Sequence, residues 1–249
     1  MMNISIRFKK LILSACWLLM AVGLHAQHSM GVTGLLNIPT ADMQADGTFM
    51  AGVNYLPEQM LPEHWDYNSG NYFLNMTFLP CLEIGYRCTL LKLKTGKWNQ
   101  DRSVSLRIRP LKEGKYWPSV VVGSNDALTT GQLNTFSEVT GNRYFSSVYG
   151  VATRHFLLGG HDLAFTFGWN IPFRKHAVRD GVFGGMSYSP AFCRPLSLMA
   201  EYDGNAVNIG GSVRLFNHFT VHVFCYDLEA VSCGVQYELV LLGKKGGRP

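Results

Sequence analysis

Apolar and polar residues alternate along most of this chain with a period of two. In residues 103–109, Val104, Leu106 and Ile108 are separated by serine or arginine side chains. Because successive side chains of a β-strand point to opposite faces of a sheet, this alternation predicts a strand with one apolar and one polar face. Similar segments recur throughout residues 49–241. The sequence therefore predicts an all-β protein.

The alternating segments divide into twelve predicted strands, a number that suits a closed bacterial barrel because those barrels have even strand counts. All ten prolines fall between the segments, as expected for a residue that has no N–H for a sheet hydrogen bond. The strands are expected at residues 49–55, 72–78, 82–91, 103–108, 119–123, 146–154, 163–169, 182–188, 196–202, 206–215, 219–226 and 230–241. We predict that they form one antiparallel barrel over residues 49–241.

The polar face of the strands helps to distinguish two architectures. In a soluble barrel or sandwich the apolar face forms the core, whereas in an outer-membrane barrel it contacts lipid and the polar face lines the lumen. Aromatic residues recur near strand ends, where such barrels carry girdles. Charges of both signs share the polar phase, and the expected lumen charges are Glu83, Arg87, Arg107, Arg109, Arg214 and Glu238. We therefore favour a transmembrane β-barrel of the bacterial outer-membrane type, in contact with outer-membrane lipid.

The first 26 residues have the features of a secretory signal. Basic residues precede an apolar stretch from Leu11 to Leu24, and small residues precede a cleavage site after Ala26. The stretch is shorter than the roughly 20 residues of a membrane-spanning helix. We expect cleavage after Ala26 and an outer-membrane location. A lipoprotein box ending at Cys16 is the alternative, but it would leave a long apolar stub after the cut.

Removal of the signal leaves a chain of nearly balanced charge. The signal contains three of the 22 Lys and Arg residues and none of the 17 acidic ones, so the net charge falls from +5 to +2. That balance argues against a nucleic-acid partner. The five remaining cysteines have neither metal-site spacing nor the even number of a disulfide framework. We expect no metal and no cofactor.

Two segments are more elaborate than a plain barrel wall requires. Residues 27–48 form a lead-in whose glycine and proline pattern predicts a fixed turn at the barrel mouth or inside the lumen. Residues 201–210 contain an Asp-Gly-Asn sequence, for which a tight hairpin turn is the simpler explanation. The candidate functional residues in these segments and in residues 118–126 are Gly34, Asn37, Pro39, Thr40, Asp126, Glu201, Asp203 and Asn208. Residues 242–249 are expected to be a disordered basic tail.

At these segments the sequence resembles the YjbH-like outer-membrane proteins. The resemblance rests on the lead-in followed by residues 45–49, on residues 118–126, and on Glu201-Tyr-Asp203 with Asn208-Ile-Gly210. It implies association with exopolysaccharide and group 4 capsule production, and it implies polysaccharide or capsule-export proteins as partners. It offers no catalytic residues. The last strand also resembles the signal that barrel-assembly machinery reads, with Leu239 where an aromatic is usual.

Three functions fit this sequence. The leading hypothesis is a non-catalytic barrel that supports assembly or export of a surface polysaccharide. A small porin-like channel is the second, although plugging by residues 27–48 would oppose it. A lipid-modifying barrel enzyme is the third, for which Ser147 and His155, with Asp162 or Asp126 as an orienting acid, would be the candidate triad. Such a triad requires a geometry that sequence alone does not show.

Overall fold

The predicted all-β antiparallel barrel is confirmed, with twelve strands in one closed sheet. The computed structural model of the chain describes residues 29–62, 65–92, 96–129, 145–173 and 179–242. The expected signal at residues 1–26, with Cys16, lies outside the described residues, as does the tail from residue 243. The strands are β1 (Thr48–Leu56), β2 (Ser69–Phe78), β3 (Leu82–Lys92), β4 (Trp98–Leu111), β5 (Ser119–Thr129), β6 (Ser147–Leu158), β7 (His161–Pro172), β8 (Gly181–Ser189), β9 (Leu196–Tyr202), β10 (Val207–Leu215), β11 (Phe219–Tyr226) and β12 (Ala230–Val240).

Each strand pairs with its neighbours in the chain, and β1 closes the sheet by pairing with β12 from Thr48↔Val240 to Tyr55↔Cys233. Closure leaves no free edge that could pair with another chain. We call the end where β1 ends and β2 begins the mouth, and the opposite end the base. A 3-10 turn, Glu58–Met60, follows β1 at the mouth. No helix within the described residues is long and apolar enough to cross a membrane.

The expectation that every proline lies between strands is wrong at two positions. Pro110 lies inside β4, and Pro172 is the last residue of β7. The β4–β5 register shifts between Ile108 and Leu111, so Pro110 occupies an irregularity where a ladder hydrogen bond is already missing. Pro172 is tolerated because the pairing of β7 ends at this residue, so the missing N–H donor interrupts no ladder inside the strand.

The exposed face of the barrel is the apolar one. On the outer surface Val122 is 55% exposed, Phe167 64% and Trp169 55%, whereas inward Glu83 and Arg107 are completely buried. This distribution is the reverse of a soluble barrel and is typical of outer-membrane barrels.

The interior of the barrel is filled rather than hollow. Residues 29–44, which we call the plug, lie inside the sheet, and all of them except Asp42 are buried. The plug's Leu35, Leu36 and Ile38 belong to an apolar cluster with inward-facing barrel residues. These barrel residues include Val121, Tyr149, Val151, Phe183, Met199, Phe224 and Tyr226. The lumen is therefore partly apolar, whereas the alternation predicts that the polar face lines it.

Candidate functional site

The plug begins near the mouth, where asparagines of β1 and β2 hold its first described residue. The Nδ2 groups of Asn54 and Asn71 donate to the Ser29 carbonyl oxygen at 3.2 and 2.7 Å. Deeper in the lumen, Asn75 Nδ2 donates to the Gly31 carbonyl oxygen at 3.1 Å. Alternate inward positions of two paired strands thus guide the plug from the mouth towards the base.

The plug then reverses direction in a tight hairpin. Gly34 and Pro39 form a β-bridge, and Leu35 N–H donates to the Ile38 carbonyl oxygen at 2.9 Å. The hairpin points back towards the mouth with Leu36 and Asn37 at its tip. The lead-in residues singled out from the sequence, Gly34, Asn37, Pro39 and Thr40, are therefore parts of this single turn.

The Glu201 carboxylate of β9 binds the hairpin tip. Leu36 N–H donates to Glu201 Oε2 at 3.0 Å, and Asn37 N–H donates to Oε1 at 2.6 Å. Asn208 Nδ2, on the neighbouring strand β10, donates to Glu201 Oε1 at 3.0 Å. Hydrogen bonds to a charged group are stronger than neutral ones, and these are shielded from water. Glu201 and Asn208 therefore fix the tip against the barrel wall.

Asp203 and Arg179 complete the contacts of the tip. Asp203 Oδ2 accepts from Asn37 Nδ2, while its Oδ1 accepts from the N–H groups of Asn205 and Ala206 at 3.1 and 2.9 Å. The Asp203 side chain therefore also orders the β9–β10 turn. Arg179 Nη1 donates to the Asn37 carbonyl oxygen at 2.9 Å, and Nη2 donates to Asn37 Oδ1. The hairpin turn predicted within residues 201–210 is present, and the same turn also helps to bind the plug.

A buried ion pair holds the two arms of the hairpin nearer the base. Arg107 Nη1 lies 2.7 Å from Glu83 Oε2, and both side chains are completely buried. Thr33 N–H donates to Glu83 Oε1 at 2.8 Å, and Arg107 Nη2 donates to the Thr40 carbonyl oxygen. Each charge therefore has a partner on the wall and a second partner on the plug, as a buried pair requires.

Where the plug leaves the barrel, polar residues of β5, β6 and β7 surround it. Ala41 N–H donates to Thr153 Oγ1 at 2.8 Å, and Ser119 Oγ donates to the Ala41 carbonyl oxygen at 2.9 Å. The next residue, Asp42, lies 3.2 Å from His155 Nε2 through its Oδ1. The opposite ring nitrogen, Nδ1, lies 3.0 Å from Asp162 Oδ1.

The two carboxylates beside His155 lie at opposite ring nitrogens and do not converge on one point. Within the described ranges, no three His, Cys, Asp or Glu side chains are grouped to hold a metal ion. Ser147 is eight residues from His155 on the same strand, which corresponds to roughly 26 Å. The structure thus places His155 with Asp162, as the triad hypothesis requires, but it places Ser147 at the other end of the barrel.

A glycine in the wall allows the plug to approach closely. A Cβ atom on Gly185 of β8 would lie 2.8 Å from Leu35 Cδ1 of the plug and 2.7 Å from Glu201 Cβ. Both distances are too short for a side chain. Gly185 therefore provides space for the plug beside the residue that binds its tip.

The remaining candidate residues are Asp126, Arg87 and Arg109. Asp126 is buried and has a φ of +52° within β5, and its carbonyl oxygen accepts from Ser146 Oγ at 3.2 Å. The Arg87 guanidinium donates from Nη1 to Met30 Sδ of the plug at 2.7 Å and lies 4.6 Å from the centre of the Phe145 ring. Arg109 is only half-buried and donates to the Pro80 carbonyl oxygen at the base rather than pairing across the lumen.

The last pair of predicted lumen charges joins two strands of the wall. Arg214 of β10 lies 2.7 Å from Glu238 of β12, measured from Nη2 to Oε1, and both side chains are buried. This pair lies near the base. It bridges across β11, and the Arg214 guanidinium also donates to the Asn217 carbonyl oxygen, so we assign the pair to the wall.

Several residues that bind the plug are not evident as candidates from the sequence. They are Asn54, Asn71, Asn75, Ser119, Thr153 and Arg179. Five of them are polar residues at inward positions of strands. Their place on the polar face of the alternation is the feature of the sequence that could have identified them. Arg179 lies between strands, so no periodicity marks it.

The model of the YjbH family, described as exopolysaccharide biosynthesis protein YbjH, matches residues 26–174. No curated protein gives a significant match. The matched range includes the plug and strands β1 to β7, and it covers more than half of the 249 residues. Residues 201–210 lie beyond it. The resemblance inferred from the sequence is confirmed over the matched range, and the chain belongs to the YjbH family.

Proposed function

We propose that this protein is an integral outer-membrane barrel that supports assembly or export of a surface polysaccharide, without catalysis of its own. The observation that carries the membrane location is the exposed apolar outer face, together with a charged and filled interior. The family description supports the link to exopolysaccharide biosynthesis. Capsule assembly or export is the specific role that we infer from both.

The outer face supports a lipid environment because of its extent. Exposed apolar side chains occur on all twelve strands, and they include Val53, Leu74, Ile84, Leu106, Val122, Phe156, Phe167, Val182, Leu198, Ile209, Val223 and Val231. Soluble monomers rarely expose apolar patches larger than a few hundred Å². Export through a cleaved signal and insertion by barrel-assembly machinery are the corresponding expectations, with capsule-export proteins as partners.

The polar lumen residues support a non-catalytic role because they bind the plug. Glu83, Arg107, Glu201 and Asp203 all bind the plug. A filled lumen also disfavours the porin alternative, because a porin requires a continuous aqueous channel. We therefore place the function in recognition or support of other components at the membrane.

The membrane location predicts a strong effect of a charge in the middle of the outer face. Phe167→Arg is expected to lower the free energy of unfolding in phospholipid vesicles by about 2–4 kcal/mol, because an arginine at mid-bilayer depth is poorly solvated. Phe192→Arg, in the exposed β8–β9 connection, is the matched control and should change it by less than about 0.5 kcal/mol. Equal, small effects of the two variants, or recovery of the wild-type protein in soluble periplasm, would refute the location.

The proposed role predicts a defect in surface polysaccharide when the gene is deleted. We expect the deletion strain to lose most of its exopolysaccharide, measured by capsule staining and by quantification of the material extracted from the cells. Complementation with the wild-type gene should restore it. An unchanged amount of polysaccharide in the deletion strain would eliminate the role, whatever the location of the barrel.

A further inference from the structure

A cavity lies beside the plug tip at the mouth of the barrel. The empty space there is about 460 Å³, a volume that includes the solvent at its open side. Ile38 and Pro39 of the plug form one wall, and residues of β5 to β8 form the other. Because Asn37, Arg179 and Asp203 also line it, the cavity adjoins the residues that fix the plug tip.

Asn125 brings an unused hydrogen-bond acceptor to this cavity. The residue is only 6% exposed, and its Nδ2 makes a long contact of 3.4 Å with Ser147 Oγ. Within the described part of the chain, Asn125 Oδ1 has no hydrogen-bond donor. A buried polar atom without a partner is costly, so such an atom in a cavity wall points to a ligand that satisfies it.

The backbone around Asn125 is arranged to place this side chain. The β4–β5 register shifts between Val104 and Leu106, where β5 contains extra residues, and the next residue, Asp126, has the positive φ described above. Bulges of this kind redirect side chains and occur often beside binding sites. The irregularity in β5 thus supports a built site rather than a packing defect.

The remaining lining groups define the chemistry of the ligand. Ser146, Ser147 and Asn170 add hydroxyl and amide groups, which donate and accept hydrogen bonds. Phe145 and Phe183 provide apolar ring surface. A ligand that fits both has several neighbouring hydroxyl groups and apolar C–H faces, which is the chemistry of a sugar ring.

The charges at the cavity oppose a strongly ionic ligand. Among the described lining residues Arg179 is the cation, and its Nε lies 3.9 Å from the Asp203 carboxylate. Two of its nitrogens already donate to Asn37. The nearby carboxylate therefore offsets the charge of the guanidinium and would repel an anion.

We propose that this cavity binds one uncharged sugar unit of a saccharide chain, with Asn125 as a principal hydrogen-bond partner. The proposal deepens the proposed function, on which the biological origin of the saccharide rests. The sugar would lie between the plug tip and the mouth ends of β5 to β8. The site is therefore formed jointly by the plug and the wall.

Binding can be measured by saturation-transfer difference NMR with the full chain in detergent micelles. The probes are the methyl glycosides of glucose, galactose, mannose and N-acetylglucosamine, and oligosaccharide fragments of exopolysaccharide from the producing strain. At least one probe should receive saturation. Methyl glucuronide, which is anionic, should bind more weakly than methyl glucoside. The absence of saturation transfer to every probe, or tighter binding of the glucuronide, would overturn the proposal.

Variants of the lining test the assignment of residues. Asn125→Leu removes the amide and is expected to raise the Kd of the best probe about tenfold, since one buried hydrogen-bonding group is lost. Asn99→Leu makes the same change at an exposed mouth position outside the cavity and should leave the Kd unchanged. Ser147→Val is the second variant, for use if Asn125→Leu does not give the folded gel mobility. An unaltered Kd in the folded variants would overturn the assignment.

The two proposals can fail separately. Loss of polysaccharide on gene deletion together with no sugar binding would retain the proposed function and reject the site. Sugar binding that depends on Asn125, with unchanged polysaccharide in the deletion strain, would retain the site and reject the proposed function.

Discussion

Arg107→Met is expected to lower the free energy of unfolding by about 3–5 kcal/mol, the usual cost of removing one member of a buried ion pair. Arg107 and Glu83 are completely buried and lie 2.7 Å apart. In the variant the Glu83 carboxylate keeps the Thr33 N–H and Asn75 Nδ2 as donors but loses the neighbouring positive charge. The Thr40 carbonyl oxygen of the plug loses its donor as well.

The measurement is urea-induced unfolding in phospholipid vesicles, followed by tryptophan fluorescence and by the gel mobility of unboiled samples. Arg102→Met provides the matched control, because Arg102 is an exposed arginine on the same strand. We expect the control to change the free energy by less than about 0.5 kcal/mol. Glu83→Gln combined with Arg107→Met removes both charges and should recover part of the loss. A loss below about 1 kcal/mol in Arg107→Met would show that the pair does not hold the plug.

Deletion of residues 29–42 is expected to convert a non-conducting barrel into an open pore. In the described chain these residues occupy the lumen, and all of them except Asp42 are buried. Their removal leaves the polar side chains of Glu83, Arg107 and Glu201 facing a water-filled interior, as in channel-forming barrels. Single-channel recording in planar lipid bilayers should give steady conductance steps for the deletion variant and none for the wild-type chain.

A milder change gives an independent test of the same plug. Glu201→Ala removes the acceptor of the Leu36 and Asn37 N–H groups, so the hairpin tip should open transiently and give brief conductance events. Glu229→Ala, at an exposed turn of the mouth, is the matched control and should remain silent. Steady conductance of the wild-type chain, equal to that of the deletion variant, would contradict a plug that closes the lumen.

The strands were largely predictable from the sequence because their determinants are local. The period of two fixes which side chains face outwards, and β9, β11 and most of β12 have the expected bounds. The β4 strand is longer than expected because Trp98–Arg102 lack the alternation yet pair with β3 up to Lys92↔Trp98. Hydrogen bonding to β3 therefore extends β4 over residues whose side-chain pattern does not predict a strand.

The site was only partly predictable because its contacts join distant parts of the chain. Asn37 and Glu201 were both singled out as unusual residues, but their contact spans 164 positions in sequence. The sequence pattern groups Asp126 with them, whereas the structure places it beside Ser146. The partly apolar lumen was missed because an inward Val121 or Phe183 has the same side-chain chemistry as a lipid-facing residue. Only the presence of the plug explains why those positions are apolar.

The path of the plug imposes an order on assembly. The described part of the chain enters at the mouth with Ser29, makes its hairpin in the lumen, and leaves at the base to enter β1 at Thr48. The seam between β1 and β12 joins the first and last strands of the barrel. If that seam closed first, the N-terminal segment would have to thread through a finished ring and bury its polar groups afterwards. The β1–β12 seam should therefore close last, around a plug already in place, so that completion of the barrel waits for the most distant part of the chain.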